Sequence, residues 1–487
     1  MIRQARRRQE RQLRKIKIVP TDFKLTTAGG LGTVLEIFDQ SALAKEFRKC
    51  LPGRISHRSA GSYYMALMVM AGHVHGVEAL ADLAQIQEDP YLQKLFEDDV
   101  SAVRTIGDFL RDFELEHIEK LNGFLNRMAR SLFSSLQLNL EEEYKPKDLL
   151  IDMDSTYHEH FGEKIEGVAW NYKNEWSIET QVGFSAQGFC HGVQMRPGNT
   201  KSGVDAASAI EKIFQDARTQ LARKREGRDY FRADSAYCYQ DVIRSCLKMG
   251  VHFTLTANDA TTGWKKQLES EGMDWQSWVH SEATVARALV REEQLPKIEV
   301  ARFFWQPGWA DEKLLFPIVV KRTWVEVRDE KNQGDLFAPD TIKEKGEWDY
   351  YAVVTNFNLN EWTHQSVMEH HAKRGNAENF VKEEKYNFKL KNFPCQKLLA
   401  NHAWVLLAQV AHNMIRWIAM MDQPGKPHYS KKIRNKYIFI AGRVVSHAGS
   451  ITLRVMKSAY ERGMKNLKES WQFSETMSAQ MPSTASG

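Results

Sequence analysis

Cysteine is scarce in this chain of 487 residues: Cys50, Cys190, Cys238, Cys246 and Cys395 are the whole supply, and no two form a CxxC pair. That argues against a zinc ribbon or a disulfide framework and fits a reducing compartment. An uninterrupted apolar run of membrane-spanning length is also missing. YYMALMVMAGHVHG (63–76) is too short, and LLANHAWVLLAQVAHNMIRWIAMM (398–421) carries Asn401, His402, Gln409, His412, Asn413 and Arg416. Both are expected to be buried helices of a soluble protein. No apolar segment follows the basic N-terminus as a signal peptide requires, so the expected location is cytoplasmic. Internal repeats are lacking too, which sets solenoids aside. Low complexity is confined to the tail SETMSAQMPSTASG, expected to be disordered.

What is present is ordinary in amount and uneven in placement. With 43% hydrophobic and 26% charged residues, the chain can build a large core of two to four structural units. Its net charge is +5, yet residues 1–17 alone hold eight Lys or Arg against one Glu, Arg6, Arg7 and Arg8 among them, so the rest is slightly acidic. Such an arm suits a polyanion; the plain alternative is a solvated helical tail. If every excess charge of the arm met a DNA phosphate, log K would fall with log salt at a slope of about −6 at most.

From about 30 to 135 the apolar spacing is helical. DDVSAVRTIGDFL offers Ser101 as N-cap of a short helix carrying Arg104, Thr105 and Arg111, readable as a groove-reading helix or as an ordinary amphipathic one. The charged LEEEYKPKD marks a boundary, after which LLIDMDST, EWSIETQVGFSA and GFCHGVQMRPG read as strands. A helix, the strand YFRADSAY, a short helix and the strand HFTLTAN follow. Three strands, helix, strand, helix, strand make a mixed sheet in the order of an RNase H-like fold. Seven of the 13 tryptophans then fall between 260 and 349 among short β runs. The expected fold is therefore α/β: an RNase H-like mixed-sheet core with a β-rich insertion, preceded by an all-α N-terminal region. The expected boundaries are 1–20 for the arm, 21–140 for the helical region, 145–259 for the first part of the core and 260–349 for the insertion. The second part of the core then spans 350–421, a C-terminal region 422–472 and the tail 473–487.

Acidic residues stand at the strand ends. Asp152 and Asp154 in LLIDMDSTYHEHFGEK are two apart and share a strand face, where a carboxylate is costly unless compensated. Strand geometry does not say which of them matters. Asp234 ends a second strand. In HHAKRGNAENFVKEEKYNFKLKNF, His371, Arg374, Glu378 and Lys385 fall within about 60° of one another if the segment is one helix. A glutamate flanked by cations suits a metal-binding carboxylate beside groups that hold phosphate; a solvated helix with ion pairs is the alternative.

The last segment resembles the signature helix of bacterial insertion-sequence transposases of the DDE class: tyrosine, two residues, arginine, three, glutamate, six, lysine. Arg374, Glu378 and Lys385 keep those spacings and His371 stands at the tyrosine position. DMDST and RADSAY are similar to the two aspartate motifs of that family, and RPGNTKSG to a turn of the same pattern; the resemblance runs from about 20 to 460. It implies that Asp154, Asp234 and Glu378 are the catalytic residues and ligands of two Mg²⁺ ions about 3.5–4 Å apart, with Mn²⁺ able to substitute. Asp152 becomes a neighbour whose replacement by Asn is expected to be mild. DNA contacts are expected at His371, Arg374, Lys385, Lys382, Arg196, Lys201, Arg104, Arg6, Arg7 and Arg8. Trp305 and Trp309 are candidates for stacking a flipped base.

The implied partners are double-stranded DNA, as element ends and target, and a second copy of the chain; the implied setting is the bacterial cytoplasm at the nucleoid. Competing readings are a catalytically silent DNA-binding descendant and a metal-dependent nuclease of the same fold. A glycosidase would explain paired acids with aromatics. It would leave the arm and the cationic stripe around Glu378 unexplained.

Overall fold

In the computed structural model, residues 18–465 are described apart from 54–60, 97–99, 161, 163, 221–226, 270–271, 312, 327–345 and 448–449. Arg6, Arg7 and Arg8 therefore lie outside the described residues, as does the tail.

The helical periodicity of the first third becomes α1 (Leu31–Gln40), α2 (Ser62–His75), α3 (Val103–Arg111) and α4 (Leu115–Asn139). α3 begins from Ala102, whose side chain cannot cap, while Ser101 is buried. Arg104 is exposed on α3 and Arg111 pairs with Asp108.

The core strands follow in the expected order: β1 (Leu149–Glu159), β2 (Trp176–Ser185), β3 (Cys190–Pro197), α5 (Ala206–Gln220), β4 (Asp229–Ala233), α6 (Gln240–Lys248) and β5 (His252–Thr256). β1 pairs antiparallel with β2 and parallel with β4, and β4 is parallel to β5. β3 closes the other side of β2. This mixed sheet with helical crossovers is consistent with an RNase H-like core.

The tryptophan-rich segment does not stand apart as a separate β unit. β6 (Ile298–Trp305), β7 (Phe316–Glu326) and β8 (Gly346–Thr355) form an antiparallel meander, and β8 pairs with β5, so all three extend the central sheet to ten strands. Alternation along a strand fixes which face is buried but not which edge it joins, so the sequence could not place them. Most of the tryptophans pack: Trp264 and Trp305 are buried, and Trp324 meets Trp348 edge-on.

Beyond the meander come α7 (His364–Ala372), α8 (Gly375–Asn387) and α9 (Leu398–Asp422), then the hairpin β9 (Gly442–His447) and β10 (Ser450–Val455), which pairs with the short strand Leu25–Thr26. α9 explains the near-membrane composition of its sequence: every residue from Ala400 to Met420 is buried, with α2 and α4 packed against it. Several of its polar side chains close on backbone. Asn401 exchanges bonds with Cys395, Asn413 with Cys190, and His402 Nε2 and His412 Nε2 meet the carbonyls of Val193 and Gly188. Bonded in this way, those groups cost less to bury, and Gln409 donates to the buried Glu384 carboxylate. The N-terminal helices, α9 and the β2–β3 face thus share one apolar core. Among the described residues, no helix is long and apolar enough to cross a membrane.

Candidate active site

Three elements bring the acids to one edge of the sheet. β4 pairs with β1 only as far as Asp152, opposite Arg232, so Asp154 projects past the end of its parallel neighbour. Asp234 is the first residue after β4 and caps the turn Ser235–Tyr237, its Oδ1 accepting the Ala236 N–H at 2.9 Å. Glu378 lies in the first turn of α8 with half its side chain exposed.

Arg374 joins two of them. Its Nη1 is 3.8 Å from Asp154 Oδ2 and its Nη2 3.5 Å from Glu378 Oε1. Burial pushes the Asp154 carboxyl up to about 6; Arg374 opposes this, while the charges of Asp234 and Glu378 add to it. Burial also raises Asp234, against the Ala236 N–H and Arg374. Among the described residues, no three acid, histidine or cysteine side chains stand close enough as placed to hold an ion together. Even so, the donor set fits a hard divalent cation: all carboxylate oxygens, with a partly buried negative charge that one guanidinium shared at 3.5 and 3.8 Å compensates only loosely.

The two aspartates of β1 separate cleanly. Asp152 is buried and gripped at both oxygens by Arg232, Nε to Oδ1 at 2.6 Å and Nη2 to Oδ2 at 2.7 Å. The remaining Arg232 nitrogen, Nη1, donates to the His370 carbonyl. Asp152 is thus a core ion-pair member, and its replacement is not expected to be mild after all.

Other expected site residues scatter. The segment 371–385 is not one straight helix. It breaks at Lys373–Arg374, where backbone bonds run three residues apart, just before Gly375, a poor helix former. His371 consequently turns into the sheet and is 1% exposed, so its ring is not open to a phosphate. Arg196 is also spent internally: it forks onto Glu179 at 2.7 and 2.6 Å and donates to the Val204 and Ser202 carbonyls, fastening the RPGNTKSG turn. Gly198 and Gly203 let that turn close, since a Cβ on Gly203 would lie 2.6 Å from the Ala236 carbonyl beside Asp234. Trp305 is buried against Phe316. Trp309 is partly buried, with the Arg244 guanidinium 4.9 Å from its ring centre. Neither ring is presented for stacking. Lys382 is exposed on α8.

A cleft of about 990 Å³ opens at Asp154 and Asp234; Lys173, Lys201 and Lys385 line it as well, together with Glu159 and Glu175. Lys385 Nζ donates to the Tyr157 carbonyl at 3.0 Å. Two side chains on the rim were not anticipated: Trp170, 61% exposed, and Tyr172, 76% exposed. Their signal was present in AWNYKNEW, an aromatic and basic cluster around an Asn-Glu turn, but such a cluster reads equally as hairpin packing.

The cleft therefore sets Asp154 and Asp234 beside three lysines, groups that phosphoryl transfer on a polyanion can use. No curated protein matches the chain. Residues 9–468 match the family described as Transposase DDE domain group 1, nearly the whole length. The chain belongs to that family of DDE transposases.

Proposed function

We propose that this chain binds the terminal inverted repeats of an insertion sequence, pairs the two ends as a homodimer, and cuts and rejoins DNA strands in cut-and-paste transposition. The observation that carries this reading is the meeting of Asp154 and Glu378 at Arg374, with Asp154 and Asp234 lining a cleft that also holds three lysines. Asp154, Asp234 and Glu378 would hold two divalent ions, Mg²⁺ or Mn²⁺. Bound there, the ions supply Lewis acidity at the attacking and leaving oxygens. Lys201, Lys385 and Lys173 hold the backbone along the cleft, while Arg374 balances the acids and faces the reacting phosphate. Arg104, Lys382 and the N-terminal arm extend the contact with DNA.

A plasmid carrying the DNA that flanks the coding region tests this. With purified chain and Mg²⁺, a fragment bounded by inverted repeats should be excised and joined to a second plasmid. Random nicking without joining would favour a metal-dependent nuclease.

Metal binding should depend on pH in a defined sense. Asp154 titrates near 6 and binds an ion only when deprotonated. Affinity for Mn²⁺ without DNA should thus be flat above about pH 7 and fall about tenfold per unit well below 6. Titration by electron paramagnetic resonance reads this directly. Equal affinity at pH 5 and 7.5 would take Asp154 out of the ion site.

A further inference from the structure

The His371 imidazole is buried but not idle. Its Nδ1 lies 3.0 Å from Thr254 Oγ1, and its Nε2 lies 3.0 Å from both Thr256 Oγ1 and Tyr351 Oη. Thr256 Oγ1 and Tyr351 Oη are themselves 2.7 Å apart, closing a triangle of polar atoms. The triangle stands at the catalytic edge. Ala233 pairs with Leu255 across β4 and β5, so Thr256 follows on β5 as Asp234 follows on β4. The backbone N–H of Arg374, the residue bridging Asp154 and Glu378, donates to the His371 carbonyl. Unlike His371, Tyr351 is open to solvent, 37% exposed, with the Lys321 ammonium 5.9 Å from its ring centre.

We propose that the Tyr351 hydroxyl contacts a DNA backbone phosphate next to the one that is attacked, and that His371 is the residue that positions it. The proposal rests on the transposase reading and adds a binding residue to it. Burial, together with Arg374 and Arg232, pushes the imidazole pKa down to about 3, so the ring is neutral and carries one proton. With that proton on Nε2, Thr254 donates to Nδ1, and the Nε2–H and the Thr256 hydroxyl both point toward oxygen acceptors within the triangle. With the Thr256 hydroxyl donating to Tyr351 Oη, the Tyr351 O–H is the donor that turns outward to an anion. Two neighbours fix the phenol, so little side-chain freedom is lost when a phosphate arrives. His371 occupies the position where the transposase signature has a tyrosine; in this chain a phenol reaches the same edge from β8.

The test uses the full chain without divalent ion, so that DNA stays intact, and a duplex of the element's own terminal 40 or so base pairs. In a series of duplexes, one phosphate at a time near the cleavage point is replaced by a neutral methylphosphonate. Tyr351→Phe should bind the unmodified duplex about tenfold more weakly, the scale of one hydrogen bond to a charged group, with an unchanged unfolding midpoint. At one phosphate, methylphosphonate should weaken the unmodified chain while leaving Tyr351→Phe unaffected, and His371→Asn should shrink that same coupling. A purely structural tyrosine would produce no coupling to a single phosphate. The proposal alone is overturned if Tyr351→Phe binds every duplex as the unmodified chain does while Arg374→Ala binds more weakly. If the unmodified chain does not prefer its own ends over unrelated DNA, the transposase reading fails and this proposal fails with it.

Discussion

Asp154→Asn, Asp234→Asn and Glu378→Gln should each lower strand cleavage by about 10³-fold or more while leaving binding to the element's ends largely intact. Ion-held oxygens contribute several kcal/mol to a phosphoryl-transfer transition state, and each ~1.4 kcal/mol is tenfold in rate. The structure makes these variants clean tests, because each preserves its local fold. Asn at 234 can still accept the Ala236 N–H and cap the turn, so only charge is lost. Glu378 is half exposed, and among the described residues Arg374 is the cation placed against it, at 3.5 Å. Asp154 is better than neutral in this respect. Its folded pKa of about 6 lies above the ordinary 3.8, so the folded state binds that proton more tightly than the unfolded chain. Stability therefore falls as pH rises from about 4 to 6, and above that range the ionised carboxylate is a standing penalty. At pH 7.5, Asp154→Asn should unfold no earlier than the unmodified chain by thermal melting. Full cleavage by any one of the three variants would remove that residue from the site.

Asp152→Asn should behave in the opposite way, harming the fold first. It strands the Arg232 guanidinium, 2% exposed, without a counter-charge. Breaking a buried pair from one side costs about 3–5 kcal/mol. Replacing both partners by apolar side chains of similar volume leaves no orphan charge, so Asp152→Leu with Arg232→Met should be more stable than Asp152→Asn alone. The check is a thermal melt of the three proteins, with cleavage measured well below the lowest midpoint. If Asp152→Asn melts with the unmodified chain yet does not cleave, Asp152 belongs to the chemistry.

These two neighbours show where sequence reasoning stops. Alternation along LLIDMDST placed both carboxylates on one face of a strand, and the family's aspartate motif pointed to Asp154. That Asp152 meets an arginine 80 positions away is a consequence of β1–β4 register, which no local pattern encodes. The same holds for Arg196, whose partner Glu179 faces it across β2 and β3. The order of core strands and helices was legible because each change of apolar period is local. The attachment of β6, β7 and β8 to the main sheet was not, because pairing edges are chosen in three dimensions. The stripe from His371 to Lys385 was drawn on one straight helix, and the break before Gly375 rotated its first member into the core. The tryptophans were misjudged for a related reason: a large aromatic in a strand usually fills core, as Trp305 does, while Trp170 and Tyr172 lay outside the motif pattern.

All of this depends on three distant carboxylates forming one cation site. Crystals of the chain with its end DNA and Mn²⁺, recorded at the manganese absorption edge, test that most directly. The account predicts anomalous density touching Asp154, Asp234 and Glu378, with Arg374 turned from the acids toward a phosphate. Manganese bound elsewhere, with Arg374 still bridging Asp154 and Glu378, would contradict it.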